Sequence, residues 1–155
     1  MLHPSRRSLT AFLLLALFCA AAPAAAQNAG GDREPLYQSY KGVKIGMTAE
    51  EARKALGNPA DKGDAQDFYT FSEEESAQVF YDSEKKVYAV SVFYAGGKAV
   101  PTAKAVLGAE ADARPDGSLH RVVEYPKAGY WVAYSRTAGD SPLITVTMQK
   151  RQKGQ

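Results

Sequence analysis

Residues 45–59, Ile-Gly-Met-Thr-Ala-Glu-Glu-Ala-Arg-Lys-Ala-Leu-Gly-Asn-Pro, can form a short helix and nothing longer. Thr48 is a natural N-cap, because its hydroxyl oxygen can accept from a free backbone N–H of the first turn. Glu51, three residues later, can reach back to the cap's own N–H and complete a capping box. Ala52, Ala55 and Leu56 recur at helical spacing and make a narrow apolar stripe. Gly57 supplies the left-handed residue that ends the helix, and Pro59 forbids the helix from resuming. Gly46 marks a sharp turn just upstream. A two-turn helix of this kind is stable only against a larger surface, so the rest of the chain must supply one.

That surface reads as sheet. Residues 67–71, 77–82 and 87–94 alternate apolar and polar side chains between turn signals, as do 121–125, 130–135 and 143–149. Ahead of the helix, residues 36–45 place Leu36, Tyr37, Tyr40 and Val43 where one helical face could collect them, which predicts a first helix. Residues 99–107 end in Leu-Gly like the first unit and predict another. The order helix, helix, strand, strand, strand, followed by helix, strand, strand, strand, predicts an α+β fold. It is a helical hairpin packed on an antiparallel β-meander and duplicated, the second copy lacking its first helix. Tyr69 and Phe71 align with Val123 and Tyr125, Val79 and Tyr81 with Val132 and Tyr134, and Val90 and Val92 with Val146 and Met148. The expected units are 36–96 and 97–150, with a flexible tether at 27–35 and a polar tail at 151–155.

Alternation gives each strand two faces. One collects Tyr69, Phe71, Val79, Tyr81, Tyr88, Val90 and Val92, then Val123, Tyr125, Val132, Tyr134, Ile144, Val146 and Met148, and should pack under the helices. The other is mostly polar but carries Phe68, Phe80, Phe93 and Trp131, with Glu124 and Thr145 beside them. Four large aromatics on an otherwise polar face are the best candidates for contact with a partner.

Gly46-Met47-Thr48, a short helix, Leu56-Gly57-Asn58-Pro59 and a following aromatic strand together resemble the helical hairpin of the SmpA/OmlA/BamE lipoproteins. That family is similar in fold to the β-lactamase-inhibitor proteins. The resemblance covers about residues 37–94. It implies a non-enzymatic interaction module of the BamE type in outer-membrane assembly. The alternative it implies is a secreted protein inhibitor of a hydrolase.

Residues 1–26 read as a secretory signal, with Arg6 and Arg7 ahead of an apolar run and Ala24-Ala25-Ala26 at the cleavage site before Gln27. The run is too short for a comfortable bilayer span. Cys19 is the only cysteine, and Phe18 stands where a lipoprotein signal needs a small residue. The chain is therefore read as exported, periplasmic or secreted, and not lipidated, with no transmembrane segment in the mature chain. The whole sequence carries 19 basic and 17 acidic residues; removing Arg6 and Arg7 leaves the two signs balanced. Such a chain is no basic nucleic-acid binder.

The remaining chemistry is sparse. His120 is the only histidine beyond the leader, so no histidine metal cluster or two-histidine relay can be assembled. Glu73-Glu74-Glu75 lacks the oxygen-ligand pattern of a calcium loop. Gly96-Gly97-Lys98 lacks the spacing of a phosphate loop. No serine sits in a nucleophile elbow. The sequence predicts no catalytic residues, no cofactor and no metal, and a protein partner in the cell envelope; it does not set the oligomeric state.

Overall fold

The computed structural model describes residues 33–96 and 100–151. The leader, its cleavage site and Cys19 lie outside the described residues. Thr48 caps α1 (Ala49–Leu56) with both halves of the capping box in place. The Thr48 hydroxyl accepts from the Glu51 N–H at 3.2 Å, and the Thr48 N–H donates to Glu51 Oε2 at 2.8 Å. Gly57 ends the helix, but at φ +85°, ψ −157° rather than in the expected left-handed conformation; this extended geometry of positive φ is one that side chains with a Cβ essentially never adopt.

Four strands follow: β1 (Asp61–Lys62), β2 (Gln66–Thr70), β3 (Glu75–Tyr81) and β4 (Val87–Tyr94). Then come α2 (Ala103–Leu107), β5 (Asp112–Ala113), β6 (Leu119–Tyr125), β7 (Tyr130–Arg136) and β8 (Ile144–Lys150). All eight strands belong to one antiparallel sheet in the order β1-β2-β3-β4-β8-β7-β6-β5. The seam is β4 against β8, running from Ala89 opposite Gln149 to Tyr94 opposite Ile144. On both sides of it the strands step outward in reverse chain order, to edges of only two residues. Short edges with charged residues protect a sheet from pairing with other chains.

This architecture corrects the expected one. Among the described residues there is no helical hairpin, and the dominant element is a single eight-stranded sheet rather than two meanders. Residues 36–45 contain no helix: Tyr40 and Val43 face each other across an isolated antiparallel bridge. Lys41 and Gly42, at φ +44° and +87°, form the tight turn between them. Two successive positive-φ residues suit a hairpin turn of the primed type and cannot sit in a right-handed helix. Each half therefore starts with one short helix among the described residues, and the second copy does not lack a helix that the first one has.

Both helices pack on the same sheet face. Ala49 and Ala52 of α1, with Ala103, Val106 and Leu107 of α2, join one buried cluster with Tyr69, Val79, Val90, Val92, Val132, Val146 and Met148. Tyr40 and Val43 enter it from the bridge. Burying each of the larger apolar side chains is worth about 1.5–3 kcal/mol, so this face carries the fold. The strand register breaks once. Phe80 lies opposite Ala89 while Tyr81 lies opposite Val87, so Tyr88 is an extra residue on β4. That bulge takes Tyr88 out of the core face, where alternation alone had placed it. Its ring instead meets Phe80 on the other face, centroids 6.0 Å apart.

Candidate functional surface

The sheet face turned away from the helices presents cross-strand rows fixed by the pairing register. One row reads Gln66, Phe80, Ala89, Gln149, Trp131 and Glu124 from β2 to β6. The next reads Phe68, Gln78, Ser91, Thr147, Ala133 and Val122, and a third reads Thr70, Ser76, Phe93, Thr145, Ser135 and His120. Phe68, Phe80, Phe93 and Trp131 all lie on this face, together with Glu124 and Thr145. Phe68 is exposed, while Phe80, Phe93 and Trp131 are half-buried among their neighbours.

The six residues do not form one cluster. Phe80 and Trp131 share a row but are three strands apart, roughly 14 Å at the usual strand spacing. Glu124 stands directly opposite Trp131 and is ion-paired with Arg151 at 3.2 Å. Thr145 stands directly opposite Phe93. Tyr88, which sequence alternation assigned to the core, adds a fifth aromatic to this face beside Phe80. At the seam, the Ser91 and Thr147 hydroxyls are hydrogen-bonded at 3.0 Å and tie the two halves of the surface together.

One end of the face is hollow. Phe68, Thr70, Ser76, Phe93 and Leu143, with the 72–75 turn, surround an open recess of about 260 Å³. The hollow exists because the short Ser76 side chain stands between Thr70 and Phe93 in its row. His120, at the far end of the same row, is hydrogen-bonded through Nδ1 to the Ser135 hydroxyl at 2.8 Å. Among the described residues no carboxylate is hydrogen-bonded to the ring, so the His120–Ser135 pair lacks the third, orienting group of a nucleophile–base–acid relay.

The strongest electrostatic feature lies on the opposite face. Asp67 is 0% exposed and its carboxylate is fully engaged. Arg53 of α1 donates to it from Nε at 2.7 Å and from Nη2 at 3.0 Å. Tyr81 donates at 2.6 Å, Tyr69 at 3.4 Å, and the Gly63 N–H at 3.2 Å. Burial alone pushes the Asp67 pKa up, yet the bonds from Arg53, Tyr81 and Gly63 outweigh it and hold the group below its ordinary value. Burial, and then the hydrogen bond to Asp67, push the Tyr81 hydroxyl up. With every oxygen occupied, this carboxylate is a clamp between α1 and the sheet rather than a general base. A half-buried carboxylate does similar work at the 72–75 turn. Glu75 accepts from Tyr40 at 2.7 Å and pairs with Lys41 at 3.4 Å, anchoring the Tyr40–Val43 turn.

Among the described residues no three histidine, cysteine, aspartate or glutamate side chains are arranged to hold a metal ion. No helix among them is long and apolar enough to cross a membrane. No protein-family model matches the chain, and no curated protein matches it. In comparison with solved structures, the chain is similar to a DUF4309 family protein, YjgB, from Bacillus subtilis. The identity is 16% and the TM-score 0.46, over 74% of this chain and 86% of that one.

Proposed function

We propose that this chain is a non-enzymatic protein-interaction module of the cell envelope, and that its partner docks on the sheet face opposite the helices. One observation carries the reading. Five large aromatic side chains lie on the face that the helices leave uncovered, while the inner face alone supplies the core. A ring on this face adds little to the core, but it offers a rigid contact area of the sort that dominates protein interfaces. Export, suggested by the leader, and the BamE-like segment around α1 set the envelope as the compartment of choice. With no helical hairpin among the described residues, α1 and its caps are the remaining basis of that resemblance.

The test uses Trp131→Ala and Phe80→Ala, with melting temperature and capture of envelope proteins read together. A true anchor loses about 2 kcal/mol or more of binding, roughly thirtyfold, with the melt little changed. Capture that survives both substitutions overturns the docking face. A captured outer-membrane assembly protein supports the BamE-type role. A single soluble hydrolase would replace it with inhibition.

A further inference from the structure

The recess at the Phe68–Phe93 end has a chemistry that the rest of the sheet face lacks. Only three large apolar side chains are strongly exposed among the described residues: Leu36, Phe68 at 36% and Leu143 at 38%. Two of those three line this one hollow, and Phe93 completes its apolar floor. Its rim is acidic. Glu75 is turned inward to Tyr40 and Lys41, whereas Glu73 and Glu74 have no ion-pair partner among the described residues. Two carboxylates without an ion-pair partner among the described residues thus line the recess together with two phenylalanine rings and the hydroxyl-bearing Thr70, Ser72 and Ser76.

We infer that this recess receives the cationic side chain, arginine before lysine, of an exposed segment of the partner protein. This rests on the interaction reading above and adds the partner's chemistry. A guanidinium is flat and weakly hydrated, so it can stack on a phenylalanine face while its N–H edges reach carboxylates. A compact ammonium gains less from the rings. The volume of about 260 Å³ is below that of usual small-molecule sites and suits one long side chain. The recess lies on the same face as Phe80 and Trp131, so a segment held there by its basic residue can extend along the strands toward Phe80 and across the seam toward Trp131.

The probe is a blocked Gly-Gly-Arg-Gly-Gly peptide, titrated into the full-length ¹⁵N-labelled chain at low salt, with lysine and citrulline versions alongside. Citrulline keeps the shape and removes the charge. The arginine peptide should shift the amides of Thr70, Ser76 and Phe93, with lysine weaker and citrulline silent. Glu73→Gln combined with Glu74→Gln should weaken binding about fivefold to tenfold, as two exposed ion pairs allow. Salt of about 0.5 M should weaken it as well. Both glutamates are exposed on a turn, so the melt serves as the folding control. Equal shifts from arginine and citrulline, or shifts confined to the Phe80–Trp131 end, overturn this inference. They leave the docking face itself to be judged by Trp131→Ala and Phe80→Ala, which do not touch the recess. An absence of shifts at the recess overturns it too.

Discussion

Replacing Arg53 by methionine keeps most of the side chain's packing and removes both of its hydrogen bonds to Asp67. The carboxylate is then left buried with only neutral donors: the Tyr81 and Tyr69 hydroxyls and the Gly63 N–H. Stranding one partner of a buried pair costs about 3–5 kcal/mol. The Arg53 side chain is 26% exposed, so water can follow it in, and the lower end, about 3 kcal/mol, applies. With a urea dependence near 1.5 kcal/mol per molar, the unfolding midpoint falls by about 2 M. Asp67→Asn in the unaltered chain should also destabilise, by about 2 kcal/mol, because its amide N–H groups then face the donors of Arg53 and Tyr81. In the Arg53→Met background the same substitution should reverse sign. With its oxygen at the Oδ2 position the asparagine still accepts from Tyr81 and Tyr69 and gives up only the Gly63 N–H, no charge is buried, and about 1 kcal/mol returns. Urea melts of the two single variants and the double variant close this cycle. If Asp67→Asn destabilises both backgrounds equally, the stranded charge is not what makes Arg53 matter.

The same carboxylate sets an acid limit. Its folded pKa lies below the ordinary 3.8, so its contribution is complete above that value and is lost as pH falls through the folded one. The stability gap between the wild-type chain and Asp67→Asn should be constant from pH 7 to about 5 and close below about pH 4, as read from urea midpoints. Gly57→Ala should cost about 1–3 kcal/mol through backbone strain alone, because a Cβ there meets nothing within 4 Å; a melt equal to wild type would refute the helix-ending geometry. Thr48→Ala should cost about 1 kcal/mol by removing the cap, less than Gly57→Ala at its upper range, in the same thermal assay.

How much of this was readable from sequence depended on how local the cause was. Thr48, Glu51 and Gly57 act within one helix and its caps, and their geometry follows from three-residue spacing. The six longer strands lie on the six alternating stretches because period-two burial is written along each strand. Residues 36–45 were misread because Leu36, Tyr37, Tyr40 and Val43 fit a helical stripe. A four-residue turn with a bridge buries Tyr40 and Val43 equally well, and Gly42 at positive φ decides between them. β1 and β5 are two exposed residues each, and so short a strand has no alternation to detect. The Arg53–Asp67 clamp joins residues 14 apart across a helix–strand packing that no local pattern specifies. Tyr88 changed face through a bulge, and the Val-Tyr-Ala-Val run around it gives no sign of the extra residue. Parity did place Phe68, Phe80, Phe93 and Trp131 on one face, but their separation into a hollow at one end and a row at the other needed the register between strands.

The β4–β8 seam also governs the order in which the molecule can be made. Within each half, neighbouring strands are successive in the chain and can pair soon after synthesis as hairpins. β4 must wait, because its outer partner is the last strand of the sheet, and Tyr94 meets Ile144 only after some fifty further residues have been added. Until then the β4 edge stands open, with Val90 and Val92 already prepared for burial. Such long-range pairing is slow and leaves chains liable to join edge to edge. A ribosome-stalled or truncated chain ending before β8 should therefore be more prone to aggregation than its composition suggests, and the fold is sealed by a strand of seven residues.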